Sequence, residues 1–223
     1  MIVENINNIK EKLPSNVKLV AVSKFHPIDA ILEAYGAGQT VFGENRPQEF
    51  ASKAAQLPQD IEWHFIGHLQ TNKLKMVLPY ASLVQSIDSQ HLLDAVEEWG
   101  KANDKVINIL LELHVGAEET KQGFHEEEIL DLLFSVVNSD HKKYSHIRFC
   151  GLMGMATNTD DEETVRADFA RISDFHAYLT DLFPELEEFK ELSIGMSGDW
   201  PIALEYGATI VRIGTAIFGE RQY

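Results

Sequence analysis

A chain of 223 residues, 44% apolar and 24% charged, can bury a full hydrophobic core and falls in the length range of one α/β barrel. Nineteen basic residues against 35 acidic leave a formal net charge of −16, which repels phosphate backbones and anionic lipid and argues against nucleic acid and membrane partners. The single cysteine, Cys150, excludes an intramolecular disulfide framework, and no apolar run approaches the roughly 18 residues of a spanning helix. We therefore expect a cytoplasmic protein. The segment before Lys18 reads as an extra N-terminal helix. A strand over 18–23 is followed by a helix over 27–35, a strand over 40–43 by a helix over 47–56, and a strand over 63–67 by a helix over 72–79. Strands at 83–86, 106–114 and 147–153 precede helices at 89–100, 126–138 and 161–181, and strands at 191–195 and 209–213 close the series. Each helix repeats apolar residues at steps of three and four, as in Leu92, Leu93, Val96 and Trp99. Pro27 and Pro47 suit first helical turns, and His125-Glu-Glu-Glu128 puts acids where a helix N-terminus favours them.

Eight strands alternating with helices imply parallel pairing, and the near-continuous apolar run 106–111, broken by Asn108, implies burial on both faces. A closed (β/α)8 barrel of the TIM type and an open doubly wound sheet compete. The count of eight favours the barrel, and no Gly-x-Gly-x-x-Gly follows the first strand. No linker, repeat or low-complexity tract interrupts the alternation, so one domain is expected over 1–223. The acidic runs at 126–128, 160–163 and 185–191 read as solvated outer faces.

In an α/β barrel, chemistry gathers at the C-terminal strand ends, and polar residues collect there. Lys24 closes the apolar strand Leu19-Val-Ala-Val22, so its amine reads either as a Schiff-base nucleophile at the mouth or as a lysine snorkelling to solvent. The stretch Ser193-Ile-Gly195-Met-Ser197-Gly198-Asp199, with Val211-Arg212-Ile-Gly214-Thr215, reads either as a phosphate cradle of backbone N–H groups and a hydroxyl or as two tight turns. Asp199 stands where a serine-hydrolase elbow requires glycine. His64 and His68 lie on a strand end and the following turn, not on one helical face, and no Glu follows the first as the zinc motif requires. His114, at the fifth strand end, reads equally as a ligand contact or a satisfied rim residue.

Several ordered blocks are recognisable. Ala21-Val-Ser-Lys24, Gly43-Glu-Asn45 with Gln48-Glu49, Trp63-His-Phe-Ile-Gly-His-Leu-Gln70 with Asn72-Lys73, Gly151-Leu-Met153, Ser193-Ile-Gly-Met-Ser197 with Asp199, and Val211-Arg-Ile-Gly214 with Ile217-Phe-Gly219 resemble the pyridoxal phosphate homeostasis protein family, the YggS/PROSC-type, alanine-racemase-N-terminal-like proteins. The resemblance runs over nearly the whole chain. It implies a fold-type III barrel that binds pyridoxal 5′-phosphate. It implies further that Lys24 forms the Schiff base, that Ser197 and the backbone amides of Gly214 and Thr215 hold the phosphate, that Arg212 faces the pyridine nitrogen, and that Asn45 lines the cofactor. Two positions depart from the family pattern: Arg46-Pro47 replaces the usual aromatic-aliphatic pair, and His114 replaces an asparagine.

If Arg212 faces the ring nitrogen, its permanent charge can only donate, which weakens the electron sink that most pyridoxal catalysis needs. Racemisation further needs a second acid/base, supplied in alanine racemases by a tyrosine from another domain. None of Tyr35, Tyr80, Tyr144, Tyr178 or Tyr206 stands at a predicted strand end, and Tyr223 is terminal. The leading expectation is a carrier in intracellular cofactor homeostasis that binds and releases pyridoxal 5′-phosphate, with pyridoxal-dependent apoenzymes as recipients and a monomer as the oligomeric state. The rivals are a slow racemase-like enzyme and an aldolase-type barrel. Lys73 and Lys121 are the reserve amines should Lys24 not react.

Overall fold

The computed structural model describes residues 1–115, 122–139 and 142–220; Lys121 and Tyr223 lie outside them. The apolar runs form β1 (Lys18–Val22), β2 (Val41–Glu44), β3 (Glu62–Phe65), β4 (Ala81–Ile87), β5 (Ile107–Leu113), β6 (Ile147–Gly154), β7 (Glu191–Ser193) and β8 (Ile210–Ile213). They pair in sequence order, each neighbour parallel, in a closed barrel. Closure is made by β8 against β1, in register from Lys18↔Ile210 to Ala21↔Ile213. A closed sheet has no edge strand, which removes the doubly wound alternative.

Helix formation follows the periodicity. The extra helix is α1 (Ile2–Lys10), which buries Ile6 and Ile9 and whose Asn5 Nδ2 donates to the Ile217 carbonyl at 2.9 Å. Next come α2 (Ile28–Gly36) and α3 (Pro47–Gln56), the latter with Pro47 in its first turn. The expected helix at 72–79 is instead a 3-10 turn, Thr71–Lys73, leading into the four-residue α4 (Leu74–Val77). Pro79 offers no N–H to continue it. In α5 (Gln90–Asn103), Ser89 Oγ accepts the Leu92 N–H at 3.3 Å, capping the start. α6 (Glu126–Asn138) starts with the Glu128 carboxylate accepting the His125 N–H, and α7 (Glu162–Leu182) is capped by Asp161. Two short helices, α8 (Trp200–Glu205) and α9 (Thr215–Phe218), follow β7 and β8. No helix among the described residues is long and apolar enough to cross a membrane.

Strand alternation decides what the barrel encloses. Val20, Val41, Leu83, Leu110, Met153 and Ile210 form a buried apolar cluster inside it. Two residues further along their strands, on the same face, stand Gln85, Glu112 and Arg212. All three are buried, as are His64 and Ser193. An apolar layer thus floors the barrel and a polar one lies above it, toward the C-terminal strand ends. Outside, Phe50 packs edge-on against Trp63 and Phe65, part of the larger core that glues the helices to the sheet.

Candidate functional site

Above the polar layer opens a cavity of about 450 Å³, lined by Lys24, Asn45, Ser197, Arg212, Gly214 and Thr215 together with Glu112, His68 and Met196. The six residues singled out from the sequence therefore share one wall space at the barrel mouth. β1 delivers Lys24, β2 delivers Asn45, the β7–α8 turn delivers Ser197, and β8 with its following turn delivers the other three.

Arg212 is buried and held in place. Its Nη1 donates to the Ser193 carbonyl at 2.8 Å and to Ser193 Oγ at 2.5 Å, and Nη2 donates to the Gly154 carbonyl at 3.0 Å. Burial lowers its pKa to about 10, opposed by Glu112 and Asp199, so it stays charged at neutral pH. Because arginine can only donate, the chain behind it has a direction. Ser193 Oγ donates a hydrogen bond to Gln85 Oε1 at 2.6 Å, and Gln85 Nε2 donates to His64 Nδ1 at 2.8 Å. Burial pushes the His64 pKa down to about 3, so the ring is neutral and carries its proton on Nε2. His68 turns its Nδ1 to Asp88 Oδ2 at 2.9 Å. The two histidines thus have separate partners and do not converge on one point.

At the other wall, Ser197 Oγ accepts the Gly214 N–H at 3.2 Å and the Ala216 N–H at 3.5 Å. Thr215 lines the cavity, but the second amide on the serine belongs to Ala216. Asp199 Oδ1 takes the Met196 N–H at 2.5 Å and tightens the same turn. Asn45 Oδ1 is buried with no hydrogen-bond partner among the described residues, an acceptor kept from water. Gly67 leaves room for it: a Cβ there would stand 2.2 Å from the Asn45 carbonyl oxygen. The Glu112 carboxyl is pushed up to about 7, by burial first and by Asp88 second, with Arg212 opposing.

The two departures from the family pattern are placed differently. The Arg46 guanidinium lies 4.2 Å over the Phe25 ring, beside the Lys24 turn, and Pro47 opens α3. His114 packs edge-on to His125, centroids 5.3 Å apart.

Residue patterns left Gln85 and Lys53 unread. Gln85 and Glu112 follow Leu83 and Leu110 by two, so strand alternation alone puts them inside. Lys53 shares the buried face of α3 with Phe50 and Ala54, a lysine on the apolar stripe. Its ammonium meets Glu44, which is wholly buried.

The sequence matches the alanine racemase N-terminal domain family over residues 1–222. The pyridoxal phosphate homeostasis protein of Vibrio alginolyticus is 38% identical over 217 residues, covering 95% of this chain and 90% of that one. The chain belongs to the pyridoxal phosphate homeostasis protein family. The Homo sapiens relative of the same name is 37% identical over 92% of this chain and 77% of its own. Among solved structures, PipY of Synechococcus elongatus PCC7942 with PLP bound is 35% identical, with a TM-score of 0.86 over 98% of this chain and all of that one. An alanine racemase from E. faecalis shares the fold at a TM-score of 0.72 and 18% identity, this chain covering 57% of it. Membership in the family rests on whole-chain similarity; the geometry above is this chain's own.

Proposed function

We propose that this protein holds pyridoxal 5′-phosphate reversibly through Lys24 and yields it to pyridoxal-dependent apoenzymes, serving cofactor homeostasis. The carrying observation is the cavity that gathers a primary amine, a hydroxyl with two backbone N–H groups, and a fixed guanidinium. The donors fit the group. Ser197 Oγ, which accepts the Gly214 and Ala216 N–H groups, is left with its own proton to donate to a phosphate, and Thr215 lines the cavity beside it, so no net positive charge is needed on an acidic protein. Asn45 Oδ1, with no partner among the described residues, offers an acceptor to a ligand hydroxyl. Arg212, its other donors spent on Ser193 and Gly154, can hydrogen-bond a ring nitrogen but cannot give up a proton to it. When bound, the cofactor supplies an aldehyde for a reversible bond to nitrogen and a ring that accepts electrons. An arginine partner leaves that ring a weak acceptor, which suits holding over catalysis. None of the described tyrosines lines the cavity.

The second reading, a racemase-like enzyme, draws on Glu112, a cavity carboxyl pushed up to about 7 and so able to move a proton near neutrality. Two measurements decide. The purified protein should absorb in the visible with pyridoxal 5′-phosphate, borohydride should fix the adduct on Lys24, and Lys24→Ala should lose the band while keeping its fold. A band retained in that variant would sink the reading. Solvent deuterium entering the α-carbon of an added amino acid at enzymatic rates would replace the carrier with the racemase.

A further inference from the structure

Phe25, immediately after Lys24, has φ +68°, a left-handed conformation that a bulky residue avoids unless its surroundings impose it. What imposes it lies beneath. Glu49 Oε1 accepts the Phe25 N–H at 2.7 Å, and Lys53 Nζ donates to the Ser23 carbonyl at 2.8 Å. One side chain thus grips the peptide group after Lys24 and another the residue before it. The two grips are joined, because Lys53 Nζ also donates to Glu49 Oε1 at 2.6 Å and to Glu44 Oε1 at 2.7 Å. Ser23 Oγ donates to that same Glu44 oxygen at 2.7 Å. All three ammonium protons of Lys53 are spent, on the Ser23 carbonyl and the two carboxylates. The lysine and Glu44 are buried, and Glu49 is half-buried, its side chain 21% exposed.

We propose that Lys53, Glu49 and Glu44 are positioning residues for Lys24: a buried ion cluster, built from α3 and β2, that clamps the chain on both sides of Lys24 and sets where its amine enters the cavity. Burying two carboxylates and an ammonium has a cost, and such a group is a poor choice where only stability is wanted. Its value here is direction. The only non-glycine residues at positive φ among the described ones are Phe25 and Asp104, and Asp104 merely ends α5. Strain beside the reactive amine, held by groups from two other elements, is the arrangement expected when a side chain must be aimed. The saturated Lys53 is correspondingly unavailable to an aldehyde. Arg46, stacked over the Phe25 ring, covers the turn from outside.

The inference rests on the reading of Lys24 as the amine that takes the aldehyde, and its test separates the two. In the full chain, Glu49→Ala removes the acceptor of the Phe25 N–H, and one acceptor of Lys53, at the least buried member of the cluster, and Glu49→Gln retains a carbonyl oxygen there. The rate of pyridoxal 5′-phosphate addition to Lys24, followed by absorbance and located after borohydride, should fall about tenfold or more in Glu49→Ala, as misaiming of a reacting group costs. Glu49→Gln should recover most of it. Binding of pyridoxine 5′-phosphate, which has an alcohol in place of the aldehyde, should change less than about twofold in both, a split that general collapse of the cavity would not give. Equal losses for the aldehyde and the alcohol, or an unchanged rate in Glu49→Ala, would overturn the clamp. Should Glu49→Ala not fold, amide exchange of the unmutated protein decides: a Phe25 N–H protected like the strands supports the clamp, and one exchanging at the rate of an open chain refutes it. A wild type that binds the alcohol and forms no adduct at Lys24 defeats the functional reading while leaving that exchange measurement standing.

Discussion

Glu112 is the residue whose ionisation the fold disturbs in the range where cells live. Burial raises its pKa from an ordinary carboxylate value to about 7, Asp88 adds repulsion, and Arg212 attracts too weakly to cancel them. A carboxyl raised in the folded state binds a proton that the unfolded chain releases between about pH 4.5 and 7. Its contribution to stability is therefore complete below the unfolded value and is lost as the pH climbs to 7. Glu112→Gln removes the titration while keeping the volume. Relative to the unmutated protein, this variant should gain roughly 2–3 kcal/mol between pH 5 and pH 8, measured by urea unfolding at each pH. A flat difference would place the carboxyl in contact with water or with a stronger cation. Sequence reasoning reached the barrel-mouth residues by a positional rule: Lys24, Ser197 and Arg212 stand at strand ends, and strand ends of a parallel barrel converge. It did not reach Lys53, because a lysine in a helix looks solvated until tertiary packing covers it. The apolar stripe Phe50–Lys53–Ala54 carried the missing signal.

At the scale of elements, long amphipathic segments announced themselves and short ones did not. α5 and α7 span several turns, so their apolar period is unmistakable. α4, α8 and α9, of four to six residues, are too short to show any period. They exist because the turns after β3, β7 and β8 pack against the barrel, not because their residues favour helix. Strand contacts impose their own requirement at Gly151. β6 shifts register against β5 between Ile109 and Leu110, and Gly151 in the same stretch has φ +148°. A Cβ there would lie 1.9 Å from the Glu191 carbonyl oxygen, inside the β6–β7 pairing. Gly151→Ala should therefore cost about 3 kcal/mol or more. Gly36, in the last turn of α2 with nothing within 4 Å of its would-be Cβ, gives the contrast. Gly36→Ala should be neutral or stabilise by up to about 1 kcal/mol, since it reduces the freedom of the unfolded chain. Paired thermal melts check both, and equal effects of the two substitutions would contradict the packing described.

The whole molecule sets a problem for the proposed cargo. Its net charge of −16 surrounds a cavity meant for a phosphate monoester, itself anionic. Two electrostatic ranges must be distinguished. Arg212 and Lys24 line the cavity, where a ligand would touch them and salt screens little. The surplus acids lie on exposed helix faces and loops, as at Glu185, Glu187 and Glu188 ahead of β7. These charges lie in water outside the cavity, so their repulsion acts on the approaching ligand and fades as ions are added. Close attraction governs how slowly cargo leaves; distant repulsion governs how slowly it arrives. Raising monovalent salt from about 20 to 150 mM should accordingly speed association of pyridoxal 5′-phosphate about twofold or more and leave its dissociation nearly unchanged. Stopped-flow absorbance resolves the two rates. An association rate that falls with salt would mean that the mouth itself projects a positive field strong enough to outweigh the rest of the surface, and the cavity would then recruit its cargo by steering instead of by fit.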